Sequence, residues 1–264
     1  MFAKPVERWK LPKRLREVSG LTLSGDDRLF AVADERAIVF ELDYRSGRVR
    51  KKFNVGTPVL HADIEGMAAH GSQLYLVTSD AMLIQTKEAV DGNHATFTST
   101  RLELPEPCEV EGLTAAPATG TRGNALWIAC KRLLDGRRDA SLRLYRLALP
   151  NHQLEALDLE LTPILAQIYK KRFNPSGIAF TPDGSKLVII AARQAAYAIF
   201  NWSANPRLNR AGLFADQAAH PQVEGIAIDA SGAVLLADEG GKRKGRLSRY
   251  ESLAALGTVQ VDTQ

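Results

Sequence analysis

The protein has 264 residues and a formal net charge of +4, with 45% hydrophobic and 24% charged residues. This composition is typical of a globular protein and excludes a largely disordered chain. No stretch approaches the roughly 18 unbroken apolar residues of a membrane helix, so we expect no membrane span. The N-terminus lacks an apolar signal-peptide core, which predicts a cytoplasmic protein as written, or a periplasmic or envelope protein if an export signal was removed.

Five similar segments recur along the chain, each with a polar residue followed by glycine and an aliphatic residue. They are EVSGLTLS from residue 17, DIEGMAAH from 63, EVEGLTAA from 109, NPSGIAFT from 174 and QVEGIAID from 222. A turn and an apolar strand follow each segment, and four strands in about 45 residues is the size of a propeller blade. The sequence therefore predicts an all-β protein, a single five-bladed β-propeller over residues 1–264 with blades beginning near 17, 63, 109, 174 and 222.

Two stretches outside the repeats extend this prediction. Residues 6–11 (VERWKL) look like an outermost strand that completes the last blade, competing with or adding to GTVQVD at the C-terminus. The third and fourth repeats are further apart than the others, and the extra residues include TPILAQIYKKRF, whose apolar residues have roughly helical spacing. We expect a short helical insertion between the third and fourth blades.

The two cysteines, Cys108 and Cys130, fall in the third repeat. They are too few for a disulfide framework or a metal cluster. Their positions before the first strand and at the end of the second would make them near neighbours. Without an export signal, we expect two buried free thiols.

One position per repeat is expected to point into the central channel, because the first strand of a blade lines it and side chains alternate along a strand. The residues before the glycine are Ser19, Glu65, Glu111, Ser176 and Glu224. A ring of three carboxylates raises pKa values or recruits a cation, and hard cations prefer oxygen ligands. We predict a divalent cation, calcium first, at Glu65, Glu111 and Glu224, with no organic cofactor. The alternative is that these glutamates only accept hydrogen bonds.

The second strand of each blade ends at the end of the channel where the first strand begins, which we call the mouth, and it supplies further ligand-binding candidates: Glu35, Lys131, Arg132, Arg193 and Glu239. His61 and His220 are also candidates, since they lie four residues before Glu65 and Glu224 and so on the same face of the strand. The alternative is that the two histidines only pack. The basic members would neutralise the glutamates or clamp an anionic group. Basic loops at 131–143 and 241–249 favour an anionic small molecule or an acidic protein partner. Nucleic acid is not expected, because no interleaved aromatic residues offer base stacking.

The motifs EVSGLTLSGDDRLFAVADE, DIEGM, NPSGIAFTPDG and QVEGIAIDASGAVLLADEGG resemble those of the SdiA-regulated (YjiK-like) five-bladed β-propellers. A more distant resemblance is to the esterase-like domain associated with phytases. The likeness covers about residues 6–262 and implies a five-bladed propeller, an envelope location and calcium binding. By motif it implies site roles for Glu65, Glu111, Glu224, Glu35 and Glu239. The chain departs from the family in its basic third and fourth second-strand ends.

Two hypotheses for function follow. The first is a small-molecule site at the channel mouth, and, if the site is catalytic, a metal-assisted hydrolase of an ester, lactone or phosphoester. Lys131 and Arg193 would then orient an anionic group of the substrate. The second is a non-catalytic protein-interaction scaffold that uses the basic loops. The sequence does not decide between an enzyme and a binding protein.

Overall fold

The computed structural model describes residues 4–117, 123–134, 141–149, 151–161 and 173–257. Within these ranges the chain forms β1 (Glu7–Lys10), β2 (Val18–Leu23), β3 (Leu29–Ala33), β4 (Ile38–Asp43), β5 (Arg48–Val55), β6 (Ile64–His70), β7 (Gln73–Thr78), β8 (Met82–Lys87), β9 (His94–Ala95), β10 (Phe97–Arg101), β11 (Cys108–Ala115), β12 (Ala125–Leu133), β13 (Ser141–Ala148), β14 (Leu154–Glu160), β15 (Gly177–Phe180), β16 (Lys186–Ala191), β17 (Ala196–Asn201), β18 (Arg207–Leu213), β19 (Val223–Ile228), β20 (Val234–Asp238) and β21 (Arg246–Tyr250).

The helices of these ranges are single turns of 3-10 helix, at Lys13–Leu15, Ala192–Gln194, Gln217–Ala219 and Leu253–Leu256. In the part of the chain that the structure describes, no helix is long and apolar enough to cross a membrane. The helix predicted between the third and fourth blades falls on residues 162–172 and so lies outside the described residues.

The strands form a five-bladed β-propeller, as predicted. Four blades run from inner to outer strand as β2-β3-β4-β5, β6-β7-β8-β10, β11-β12-β13-β14 and β15-β16-β17-β18, and the short β9 adds to the outer edge of the first. The fifth blade consists of β19, β20 and β21 with β1 as its outermost strand. Glu7 lies opposite Arg249 and Lys10 opposite Arg246, so the predicted closing strand is confirmed. The competing stretch GTVQVD lies mostly outside the described residues.

The hydrophobic core is divided among the five interfaces between neighbouring blades. Each of five buried clusters combines side chains of two adjacent blades. In the cluster between the third and fourth blades, Trp127 is fully buried and contacts Trp202 edge-on, with ring centroids 4.8 Å apart. Because a single blade cannot bury its own apolar faces, its strands are stable only when blades stack and the ring closes.

The repeat glycines are required by the close approach of neighbouring inner strands. A Cβ atom at Gly66 would lie 2.6 Å from the backbone nitrogen of Leu113, and one at Gly20 would lie 2.9 Å from that of Met67. These obstacles are backbone atoms, which cannot rotate aside as a side chain can. Glycine at this position therefore lets the inner strands pack tightly around the channel.

Cys108 and Cys130 form a disulfide that joins the start of β11 to β12, so the preference for free thiols is wrong. The expectation that they are near neighbours is confirmed, since their Cα atoms are 5.8 Å apart. That separation lies in the range that disulfides need. The error arose because the preference rested on the cellular compartment and not on the geometry of the strand pair.

Candidate functional site

The residues that directly precede the repeat glycines are called the ring residues here, and a local irregularity of the inner strands places them. In β2, β6, β11 and β19 the residue before the repeat glycine is skipped in the pairing with the second strand, which makes it the extra residue of a β-bulge. These four residues are Ser19, Glu65, Glu111 and Glu224. A bulge bends its strand and re-aims the side chain of the extra residue. In the fourth blade Ser176 directly precedes β15.

The ring narrows the central channel to a cavity of about 10 Å³, lined in part by Ser19, Glu65 and Glu224. This volume holds about one water molecule. The Ser176 hydroxyl donates a hydrogen bond to the carbonyl oxygen of Val223, at 2.7 Å. The Ser19 hydroxyl is also buried, with 4% of the residue exposed, but it has no hydrogen-bond partner among the described residues. An unsatisfied buried hydroxyl beside a small cavity indicates a place for water or a ligand atom.

Lys131 and Arg132 lie at the mouth, the end of the channel where the inner strands begin, and they neutralise Glu109 and Glu111 there. The Lys131 ammonium pairs with Glu111 and lies 3.2 Å from a carboxylate oxygen of Glu109. Arg132 pairs with the other oxygen of Glu109. Of the two roles that the sequence left open for these cations, the structure favours neutralisation over clamping an anionic ligand.

Burial keeps two of the three ring glutamates protonated at neutral pH. It raises the pKa of Glu65 to about 9, with a smaller contribution from the negative charge of Glu111. The pKa of Glu224 also rises to about 9, again chiefly by burial and then by the charge of Glu111. Burial raises the pKa of Glu111 as well, but its hydrogen bond from Lys131 opposes the rise. The ring thus combines two neutral carboxyl groups with one carboxylate-ammonium pair.

Glu239, at the end of the second strand of the fifth blade, titrates near neutral pH. Burial raises its pKa to about 7, followed by the charges of Asp34 and Glu17. Its carboxylate accepts a hydrogen bond from the side-chain amide of Gln222. Glu239 also acts on the pKa of Glu224, so the two carboxyls lie within electrostatic reach of each other. A carboxyl of this kind is poised to take up a proton at physiological pH.

Among the described residues the mouth is rich in carboxyl groups, although the protein has a net charge of +4. The carboxyl groups that interact there are Glu17, Asp34, Glu35, Asp63, Glu65, Glu109, Glu111, Glu224 and Glu239, and the described cations that act most strongly on them include Arg16, Lys131 and Arg132. Excess negative charge in a concave site attracts positively charged ligands.

The remaining candidates divide between the surface and the core. Glu35, Arg193 and His61 are exposed. His220 is fully buried, and its two ring nitrogens bond Asp238 at 2.8 Å and the Tyr250 hydroxyl at 2.6 Å. With both nitrogens committed inside the blade, His220 is a structural residue in this geometry and is not presented to the mouth.

Sequence reasoning missed three acidic members of the mouth: Glu17, Asp63 and Glu109. All three open a repeat, two positions before the ring residue, and this regularity was the available signal. The second-strand ends do lie beside the repeat starts: the Asp34 amide donates to the Glu17 carbonyl, and the Ser79 amide to that of Asp63.

The opposite mouth of the channel has a different character. A cavity of about 430 Å³ lies at the C-terminal ends of the inner strands, lined by small and apolar residues such as Ala69, Ala115 and Phe180, with Thr22 and Asp27 among its polar members. Among the described residues, this end of the channel therefore carries fewer carboxyl groups than the other, and the ring separates the two ends.

No family model matches the sequence, and no curated protein matches it at a significant level. The fold resembles three solved structures along nearly the whole chain. A luciferin-regenerating enzyme has a TM-score of 0.58 at 10% identity, with 99% of this chain and 100% of that chain covered. Glutaminyl cyclase from Myxococcus xanthus has a TM-score of 0.56 at 12% identity, with coverage of 94% and 95%. A protein described as a putative gluconolactonase has a TM-score of 0.51 at 14% identity, with coverage of 98% and 84%. At these identities the likeness shows the fold alone.

Proposed function

We propose that the acidic mouth binds a small molecule with a positively charged group and hydrolyses an ester or lactone bond in it. The observation that supports this is that Asp34, Asp63 and Glu239 have no ion pair among the described residues and interact electrostatically with the ring carboxyls or with one another at one mouth. These carboxylates, when ionised, would hold the cationic group. An anionic ligand, which the sequence favoured, has less support because Lys131 and Arg132 are already paired.

The chemistry needs one acid and one base within reach of the same bond. Glu224, neutral at pH 7, would donate its proton to the leaving oxygen as the ester C–O bond breaks. Glu239 would accept a proton from the attacking water as the new C–O bond forms. The products are a carboxylic acid and an alcohol, and the proton taken up by Glu239 restores Glu224 through solvent. The proteins of similar fold include a glutaminyl cyclase and a putative gluconolactonase. These names describe those proteins, and they are consistent with catalysis on this fold.

Acetylcholine and its uncharged carbon isostere 3,3-dimethylbutyl acetate test this proposal, since they differ only in the cationic centre. We expect acetate release from the cationic ester to be faster, with a maximum between about pH 7 and 9, because Glu239 must be ionised and Glu224 protonated. Glu224→Gln is expected to lower the rate about 100-fold or more. Glu239→Gln is expected to remove the rise of rate through pH 7.

Glu160→Gln is the matched control, because Glu160 is exposed on the outermost strand of the third blade. It is expected to hydrolyse acetylcholine at the wild-type rate. Equal rates for the two esters would overturn the cationic specificity. A rate unaffected by Glu224→Gln would overturn the acid-base assignment.

A divalent cation at Glu65, Glu111 and Glu224 stays a prediction. Among the described residues, no three acidic, histidine or cysteine side chains stand where they could hold a metal ion, and Lys131 already pairs with Glu111. The residues as placed therefore do not fit a resident metal, and no step of the proposed hydrolysis uses one.

Calorimetry with calcium, magnesium and manganese tests the metal site. Carboxyl ligands must lose their protons to bind a metal. We therefore expect weak binding at pH 7 and about tenfold tighter binding above pH 9, where Glu65 and Glu224 ionise. Glu111→Gln is expected to abolish the heat, whereas Glu160→Gln leaves it unchanged. Tight binding at pH 7 would show that the ring is a metal site after all.

The alternative function, an interaction scaffold that uses the basic loops, stays a prediction, because neither the geometry of the mouth nor the comparisons bear on it.

A further inference from the structure

A cleft of about 630 Å³ opens between the second and third blades and is continuous with the acidic mouth. Asp63 and Glu109 line its inner end. Both also act electrostatically on the ring: the charge of Asp63 contributes to the raised pKa of Glu65, and that of Glu109 to the raised pKa of Glu111. The cleft therefore begins at the proposed site and leads outward from it. Its volume is in the range of small-molecule sites.

The floor of the cleft is apolar. Ala81 and Leu102 are buried beneath it, and Leu104 packs partly against the same core cluster. Leu134 stands at the rim with 60% of its surface exposed, one of four large hydrophobic residues that are exposed in the described part of the chain. The Leu134 amide donates a hydrogen bond to the Pro107 carbonyl at 2.9 Å, which holds this leucine beside the cleft. An exposed leucine fixed over an apolar floor marks a surface for an apolar ligand group.

The charges of the cleft favour a cation. Asp63, Asp80, Glu103 and Glu109 line it together with Arg101. The Arg101 guanidinium is paired with Asp80 at 2.6 Å, so it offers little to an anionic ligand. Asp63 and Glu103 are exposed and have no ion pair among the described residues, and Asp63 accepts a hydrogen bond from the Ser79 hydroxyl. Of these two carboxylates, Asp63 is the one whose charge contributes to the raised pKa of Glu65, so it joins the cleft to the mouth.

We infer that the ligand of this protein is an amphipathic cation, an amine or quaternary ammonium with an apolar body, whose charged group meets Asp63 at the mouth while the apolar body lies in the cleft over Leu102, Leu104 and Leu134. This inference deepens the proposed function, since it names the substrate class of the same site. It adds a specificity element that the ring alone does not provide.

Binding of n-propylamine, n-hexylamine and n-hexanol, measured by calorimetry at pH 7, tests the inference. Three additional methylene groups against the floor are expected to tighten binding of hexylamine at least tenfold relative to propylamine. The ammonium is expected to bind about fivefold more tightly than the alcohol of the same length. Leu134→Asn is expected to remove most of the chain-length effect, and Asp63→Asn the preference for the amine.

Val90→Asn is the control for Leu134→Asn, because Val90 is a comparably exposed apolar residue outside the cleft, with 71% of its surface accessible. It is expected to leave both effects intact. Equal affinity for propylamine and hexylamine would overturn the cleft, even if acetylcholine is hydrolysed. A chain-length effect in a wild-type protein that hydrolyses neither ester would leave the cleft standing and remove the proposed reaction.

Discussion

Raising the pH from about 5 to about 9 is expected to lower the free energy of unfolding, by up to about 1.4 kcal/mol per pH unit for each of Glu65 and Glu224. Both carboxyls have a pKa of about 9 in the folded protein, against an ordinary value of 4.5. Between these values the folded state holds protons that the unfolded state has lost. The stabilisation is therefore complete below pH 4.5 and disappears as the pH rises through 9.

The double variant Glu65→Gln/Glu224→Gln isolates this contribution, because glutamine keeps the shape and does not titrate. Denaturant unfolding at a series of pH values is expected to show a flatter pH profile in the variant and a higher stability than wild type at pH 9. Glu160→Gln, which changes an exposed carboxyl on the outermost strand of its blade, should retain the wild-type profile. If the double variant keeps the wild-type slope, the two ring carboxyls are ionised in the folded protein and the acid role of Glu224 fails with them.

The fold was predictable because its unit is repeated. Each repeat places an aliphatic strand after a glycine, and only a closed ring buries these strands on both faces. The closing strand was predictable for the same reason, since one blade would otherwise lack its outer member. The bulge at Glu65 and Glu224 was not, because a skipped residue changes the pairing of the strand without changing its alternation of residue types.

For the candidate site, the grouping of the ring glutamates was predictable from the sequence, but their charge state was not. The common position of Glu65, Glu111 and Glu224 relative to the repeat glycine was enough to group them. The cation that neutralises Glu111 is Lys131, which lies on the neighbouring strand β12. This contact between side chains of two strands cannot be read from the spacing of the repeats. His220 shows the converse: its spacing matched that of His61, yet the Asp238 carboxylate and the Tyr250 hydroxyl hold it in the core.

The acidic mouth also depends on residues outside the ring, and this explains why a basic protein presents an anionic site. The repeat starts and the second-strand ends gather carboxylates at one end of the channel. Only the ring geometry brings Glu17, Asp34 and Glu239 together, since they belong to two blades at opposite ends of the sequence. A net charge taken from composition therefore describes the surface and not the site.

Replacing Lys131 by methionine is expected to destabilise the protein at pH 7 by about 3 to 5 kcal/mol, since it leaves a buried carboxylate without its partner. Only 5% of the Glu111 side chain is exposed, and Lys131 is the cation that pairs with it. Denaturant unfolding measures the loss. The loss should shrink as the pH falls, because a protonated Glu111 no longer needs the ammonium.

The double variant Lys131→Met/Glu111→Gln should recover most of the stability, because it removes both charges of the pair. Lys242→Met, at an exposed lysine, provides the control for the loss of one positive charge and is expected to change the free energy of unfolding by less than about 0.5 kcal/mol. If Lys131→Met is as stable as Lys242→Met, the Glu111 carboxylate is solvated in the folded protein. The mouth would then be an open acidic surface, and the burial that keeps Glu65 and Glu224 protonated would have no structural basis.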